Sequence, residues 1–207
     1  MVELLASAFK QIQLGGWVMY PLVITSLWMW YLIGKKLYDI HFLAKGDRPF
    51  VQLRKEIGNA DLSAAAWQRF IVDGYMKERT GNQDWDESII HSLQIHVEQF
   101  VDKYTGTIKL LAMVSPLLGL LGTVSGMVKT FVVIAEFGTG NARALASGIS
   151  EALITTQTGL VVAVPGLFMA SFLLRRSNGL VERIDRFCLR LSSAQTDTAL
   201  IEGKEVL

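Results

Sequence analysis

The chain has 207 residues, 51% of them hydrophobic and 19% charged, with a formal net charge of +1. So even a balance leaves no basic footprint for a nucleic-acid partner. One cysteine, Cys188, excludes an intrachain disulfide and a cysteine metal cluster.

Residues 3–14 read as a short amphipathic helix within a segment 1–16 that ends on Gly15-Gly16. Leu4, Leu5, Ala8, Phe9 and Ile12 share one face, with Glu3, Lys10, Gln11 and Gln13 elsewhere. That pattern fits a helix lying in the membrane interface. Residues 17–34 begin WVMYPLVITSLWMWYLI and read as the first membrane span. A secretory signal would carry its positive charge in front. Here only Lys10 precedes the run, Lys35-Lys36 follow it, and no small-x-small cleavage site is evident. Trp17 and Tyr20 at one end, and Trp28, Trp30 and Tyr31 at the other, suit interfacial belts.

Residues 35–105 read as a polar helical insert. Pro49 starts one candidate helix, through Ile57, and a second runs from Leu62 to Glu78. A third starts near Asp86, with Ile90, Leu93, Val97, Phe100, Val101, Tyr104 and Ile108 along one stripe. No breaker but Gly106 stands between Glu87 and the second span, so a single helix is expected from Glu87 to Ile134, running from the insert through the second span.

The second span, 106–135, sits in an apolar run from Ile108 to Ala135, which as a helix is roughly 40 Å long, more than the ~30 Å apolar core of a bilayer. Ser115, Gly119, Gly122 and Gly126 recur along it at steps of four, three and four, and Thr123 lies on the shoulder of that seam. A short loop, 136–147, leads to the third span, 148–174. There Ala152, Thr156, Gly159, Ala163, Gly166 and Ala170 form a second small-residue stripe, flanked by Thr155 and Thr158. Small stripes let helix backbones approach closely where lipid removes any hydrophobic force between helices. Pro116 and Pro165, one in each span, are candidate kinks. Residues 175–207 continue as a helix and tail. Leu180, Ile184, Phe187, Cys188 and Leu191 lie at helical spacing and Arg183, Arg186 and Arg190 on other faces.

Lysine and arginine are unevenly spread: one precedes the first span, nine lie in 35–102, one (Arg143) in the 136–147 loop and six after the third span. The positive-inside rule then puts the insert and the C-terminus in the cytoplasm, and the N-terminus and the short loop outside. The predicted fold class is an all-α integral membrane protein with three transmembrane helices, two of them long and extending into a cytoplasmic helical domain.

The titratable groups offer no enzyme. His91 and His96 are about 140° apart on a helix, which does not suit a shared metal, and His41 is isolated. No nucleophile triad, zinc motif or phosphate loop is present, and no cofactor or metal site is expected. Lys129, in the outer part of the second span, is a costly charge and a candidate pore or mouth residue, with Glu136 or Glu151 as its partner. A proton relay needs a titratable group deep in the membrane, and none of the three spans has a carboxylate or histidine there. Thr123, Thr155, Thr156 and Thr158 can line a wet path but carry no charge at neutral pH. Either another chain supplies a carboxylate or this one is a scaffold.

GGWVMYPLVITS, SPLLGLLGTVSGM and GISEALITTQTGLVVAVPG resemble the MotA/TolQ/ExbB proton-channel family, most of all its ExbB-like and TolQ-like members. The resemblance runs over essentially the whole chain, though the insert carries none of these motifs. It implies an inner-membrane homopentamer around the single-span helices of an ExbD/TolR-like partner bearing an intramembrane aspartate. Proton flow would power a TonB-like or TolA-like client, such as TonB-dependent transport. By the same resemblance Thr123 and Thr156 are pore threonines and Glu151 is a mouth glutamate, while Lys129 departs from the small or neutral residue expected. A non-conducting scaffold, a TolQ-type envelope-maintenance subunit and a gliding or flagellar-type stator are the alternatives.

Overall fold

A computed structural model describes residues 11–53 and 64–202. All regular structure among them is helical. The elements are α1 (Met19–Ala44), α2 (Phe50–Leu53), α3 (Ala66–Glu78), α4 (Gln83–Asp102), α5 (Thr105–Phe137), a 3-10 turn (Gly138–Gly140) and α6 (Ala142–Glu202). Residues 11–14 are also helical. The rest of the amphipathic segment, residues 54–57 of the helix expected from Pro49, and the tail from 203 lie outside the described residues. The segments Asp84–Gly140 and Ala142–Ala194 each hold a stretch long and apolar enough to cross a membrane.

Contacts divide the chain into two units. The first takes residues up to Gly34 together with Tyr104–Phe172. In it α5 and the first part of α6 pack antiparallel along their small residues, and each helix runs through its proline unbroken. Met19, Leu22 and Met29 on α1 are buried, while Trp17, Trp28, Trp30 and Tyr31 are exposed. Large apolar side chains on α5 and α6, among them Leu117, Leu120, Val124, Leu153, Leu160 and Val164, are also exposed. A surface of that extent is apolar enough to face lipid or other chains.

The second unit takes Lys35–Lys103 and the residues from Leu173 onward. Its core gathers Trp67, Ile71 and Tyr75 of α3, Ile90, Val97 and Val101 of α4, and Leu180, Ile184, Phe187 and Cys188 of α6. Burial pushes the Cys188 thiol up to about 12, with Glu98 and Asp185 adding to it. The α3–α4 connection is held by Asp86. Its Oδ1 accepts from the Thr80 backbone N–H at 2.8 Å and from Thr80 Oγ1 at 2.9 Å, and its Oδ2 accepts from Tyr75 OH at 3.3 Å.

The single helix expected from Glu87 to Ile134 is interrupted, and not at Gly106. α4 ends at Asp102, and Tyr104 takes a left-handed conformation with φ 70° before α5 starts at Thr105. The side chain of Lys36, 1% exposed, donates to the carbonyls of Val101 and Lys103, the latter at 2.9 Å. Ser177 Oγ also donates to Val101 O, at 3.4 Å. A helix end leaves its last carbonyls without intrahelical donors and favours positive charge. A buried ammonium and a hydroxyl supply both here, so the helix stops where they reach it. Burial lowers the pKa of Lys36, against the raising effect of Asp102 and Asp39. Gly106 lies inside α5, with nothing within 4 Å of where its side chain would be.

Candidate functional site

The two small stripes face each other. A Cβ on Gly119 would lie 3.0 Å from Thr155 O and 3.2 Å from Thr156 Cα, and one on Gly126 would lie 2.6 Å from Gly148 O and 3.0 Å from Ala152 Cβ. A Cβ on Gly159 would lie 2.9 Å from Ser115 O. As position rises on α5 it falls on α6, the register of an antiparallel pair in backbone contact. At the far end of the stripe, a Cβ on Gly166 would meet Met29 Sδ at 2.6 Å and Ala112 Cβ at 3.1 Å, so α1 joins the pair there. Ala152, Ala163 and Ala170 are buried along the same line.

This seam leaves no room at its centre. Thr155 is fully buried over Gly122, although its spacing in the sequence puts it on the flank of the stripe. Its Oγ1 donates to Glu151 O at 3.0 Å and Ala152 O at 2.9 Å. Thr156 is half-buried and its Oγ1 donates to Ala152 O at 3.2 Å. Thr123, also half-buried, donates to Leu120 O at 2.7 Å, and Thr158 to Ile154 O at 2.8 Å. All four hydroxyls thus satisfy their donor on their own helix, which is the usual habit of threonine in an apolar setting. Each oxygen keeps acceptor capacity.

The end of the seam nearest the α5–α6 turn carries the charges. Lys129 Nζ of α5 lies 2.6 Å from Glu151 Oε1 and 2.7 Å from Oε2 of α6, holding both carboxylate oxygens. The Lys129 side chain is 51% exposed and that of Glu151 10%, so the carboxylate is enclosed and the ammonium reaches outward. Glu136, the other partner considered for Lys129, is exposed and not paired with it. Gly16, with φ +70°, approaches Glu151 so closely that a Cβ would lie 2.0 Å from Oε1. Lys129, Glu151, Ser147 and Gly148 border a cleft of about 450 Å³. Nearby, Trp17 Nε1 donates to Ser125 Oγ at 3.2 Å.

One residue escaped the sequence reading. Gln157 is exposed on α6 beside Thr156 and Thr158. An amide within an apolar run is costly to leave unpaired in lipid, and that polarity was the signal available.

The pattern of the MotA/TolQ/ExbB proton channel family matches residues 63–186. The chain belongs to this family. The matched range contains the whole seam, Lys129 and Glu151, and the family is one of channels rather than of enzymes. Among curated members, the biopolymer transport protein ExbB of Salmonella typhimurium is 33% identical over 101 residues, 49% of this chain and 39% of the relative. ExbB of Aquifex aeolicus is 42% identical over 62 residues, 30% of this chain and 42% of the relative. ExbB of Xanthomonas campestris is 36% identical over 73 residues, 35% and 29% of the two chains. In each of these, less than half of the relative's own length is spanned.

Proposed function

We propose that this family member is a subunit of a proton-motive-force-driven motor of the bacterial inner membrane. In this reading it crosses the membrane three times, at 17–34, 106–135 and 148–174, with the N-terminus outside and the second unit in the cytoplasm. Five copies enclose the single-span helices of an ExbD/TolR-like partner, and a TonB-like or TolA-like client takes up the work. The observation that carries the reading is a deficit. Residues 111–128 of α5 and 152–174 of α6 contain no carboxylate, histidine or basic residue, so the titrating group of a proton path has to come from another chain. The exposed apolar surfaces of α5 and α6 are consistent with such neighbours.

In the assembled motor Thr123 and Thr156 would offer hydroxyl oxygens to the partner's aspartate. Each already donates to its own helix, so each would act as acceptor for a protonated carboxyl, or reorient to donate when the carboxyl ionises. Thr155, enclosed over Gly122, would hold the helix pair together, and the Lys129–Glu151 pair would stand at the outer mouth. The donation of Thr156 to Ala152 O also supports a second reading, a non-conducting scaffold in which the hydroxyl only fills space.

Thr156→Val separates the two, because valine keeps the shape and removes the hydroxyl. The motor reading expects loss of proton-motive-force-dependent work, scored as client-dependent uptake or envelope integrity, with partner co-purification intact. Thr158→Val is expected to do much less. Full activity of Thr156→Val at matched expression would favour the scaffold.

A further inference from the structure

The second unit holds a group of charges for which the motor reading has no use. Arg183, Arg186 and Arg190 follow each other at three and four residues on α6, which sets their side chains on one face. With Arg48 they rim a pocket of about 290 Å³. Its floor is aromatic. Phe187 packs edge-on against Phe50, with centroids 5.4 Å apart at 78°, and against Trp67, with centroids 5.3 Å apart at 83°. Trp67 is 2% exposed, so the floor is fixed by the core beneath it.

Among the described residues the rim is short of counter-charge. Asp47 is the one carboxylate among the described residues that line the pocket, and both its oxygens are engaged: Oδ2 by Arg183 Nη1 at 2.7 Å and Oδ1 by Gln68 Nε2 at 3.1 Å. Gln68 also fixes the backbone of Arg48, accepting from its N–H at 3.3 Å and donating to its carbonyl at 2.8 Å. Arg186 has a long 3.7 Å contact to Glu182 on its own helix, with both side chains mostly exposed, a weak kind of pairing. Among the described residues no carboxylate pairs with Arg190. Three guanidinium side chains of α6 therefore reach one pocket whose described lining offers a single, already occupied, negative charge.

We propose that this pocket binds a phosphate group. Guanidinium forks match phosphate oxygens two at a time, and the aromatic floor suits a ring or apolar portion of the molecule carrying the phosphate. That chemistry is shared by nucleoside diphosphates and by anionic lipid headgroups. The proposal is independent of the motor reading, since it concerns residues outside the spans.

The test is calorimetric titration of the full-length protein in neutral detergent. The probes are ADP, pyrophosphate and dioctanoyl phosphatidic acid, with sulfate and dioctanoyl phosphatidylcholine as controls. Saturable binding of at least one phosphate probe is expected, with the controls silent. The double variant Arg186→Gln/Arg190→Gln is expected to weaken it by about tenfold or more. Arg143→Gln, in the other unit, is expected to leave it unchanged. Arg190→Gln alone breaks no ion pair seen among the described residues and serves if the double variant loses stability. Preference for ADP over pyrophosphate and lipid would identify a free nucleotide, and preference for phosphatidic acid a headgroup. Absence of saturable binding, sulfate binding as well as the phosphate probes, or wild-type affinity in the arginine variants would overturn the proposal.

Discussion

Thr155 occupies the space that a side chain at Gly122 would need. A Cβ on Gly122 would lie 2.4 Å from both Cβ and Oγ1 of Thr155, distances that real Cβ contacts do not reach. The helix pair is therefore closed at this level, with a threonine of α6 seated on a bare stretch of α5.

Gly122→Ala should accordingly destabilise the protein by about 1–3 kcal/mol, the range for overpacking a tight contact. Thr155→Gly in the same chain should restore part of the loss, because it removes the Cβ, Oγ1 and Cγ2 that the new methyl would meet, at the ordinary cost of a glycine in a helix. Gly106→Ala, with open space around it, should be neutral or slightly stabilising, since alanine is the better helix former. Thermal unfolding of the three variants and the parent in one detergent checks the set. Equal losses at Gly122 and Gly106 would count against the seam.

The Lys129–Glu151 pair should behave as a coupled unit. Lys129→Met leaves an enclosed carboxylate without its donor, and a loss of about 1–3 kcal/mol is expected for hydrogen bonds to a charged group. Adding Glu151→Gln should recover part of it, because the amide no longer requires a cation. A double-mutant cycle on unfolding midpoints reads the coupling directly, and additive effects would show that the pair contributes nothing.

Asp86 ties stability to acid pH. Burial raises its pKa, but hydrogen bonds from Thr80, Gly81 and Tyr75 together outweigh that and hold the carboxyl below its ordinary 3.8. A group whose folded pKa is depressed stabilises the fold above its unfolded pKa and loses that contribution as pH falls through the folded one. Stability should therefore be level above about pH 4 with respect to this group and decline below it. Asp86→Ala should cost about 1–3 kcal/mol at neutral pH, since it removes the acceptor of the buried Tyr75 hydroxyl and of two part-buried donors on Thr80. It should also flatten the acid limb of a midpoint-against-pH curve. An unchanged acid limb would remove Asp86 from the account.

The family and the helical character were legible in the sequence, because SPLLGLLGTVSGM and GISEALITTQTGL are long local patterns and helical periodicity is a local property. The buried face of α6 could be read the same way, from Leu180, Ile184 and Phe187 at steps of four and three, and so could the identity of the small residues that make the seam. Periodicity reports the angle of a residue on its own helix, and no more. Which neighbour it meets depends on the register and approach of a second helix, and only the tertiary structure decided that. So the fold selected Glu151 rather than Glu136 as the partner of Lys129, and seated Thr155 rather than Thr156 against Gly122. Lys36, one of two lysines that looked like a topological signal, is buried at the end of α4, where its ammonium takes the carbonyls that would otherwise be unpaired. The helix consequently breaks at Lys103 and Tyr104 and not at the nearby glycine, for a reason that lies on other stretches of the chain, at residues 36 and 177.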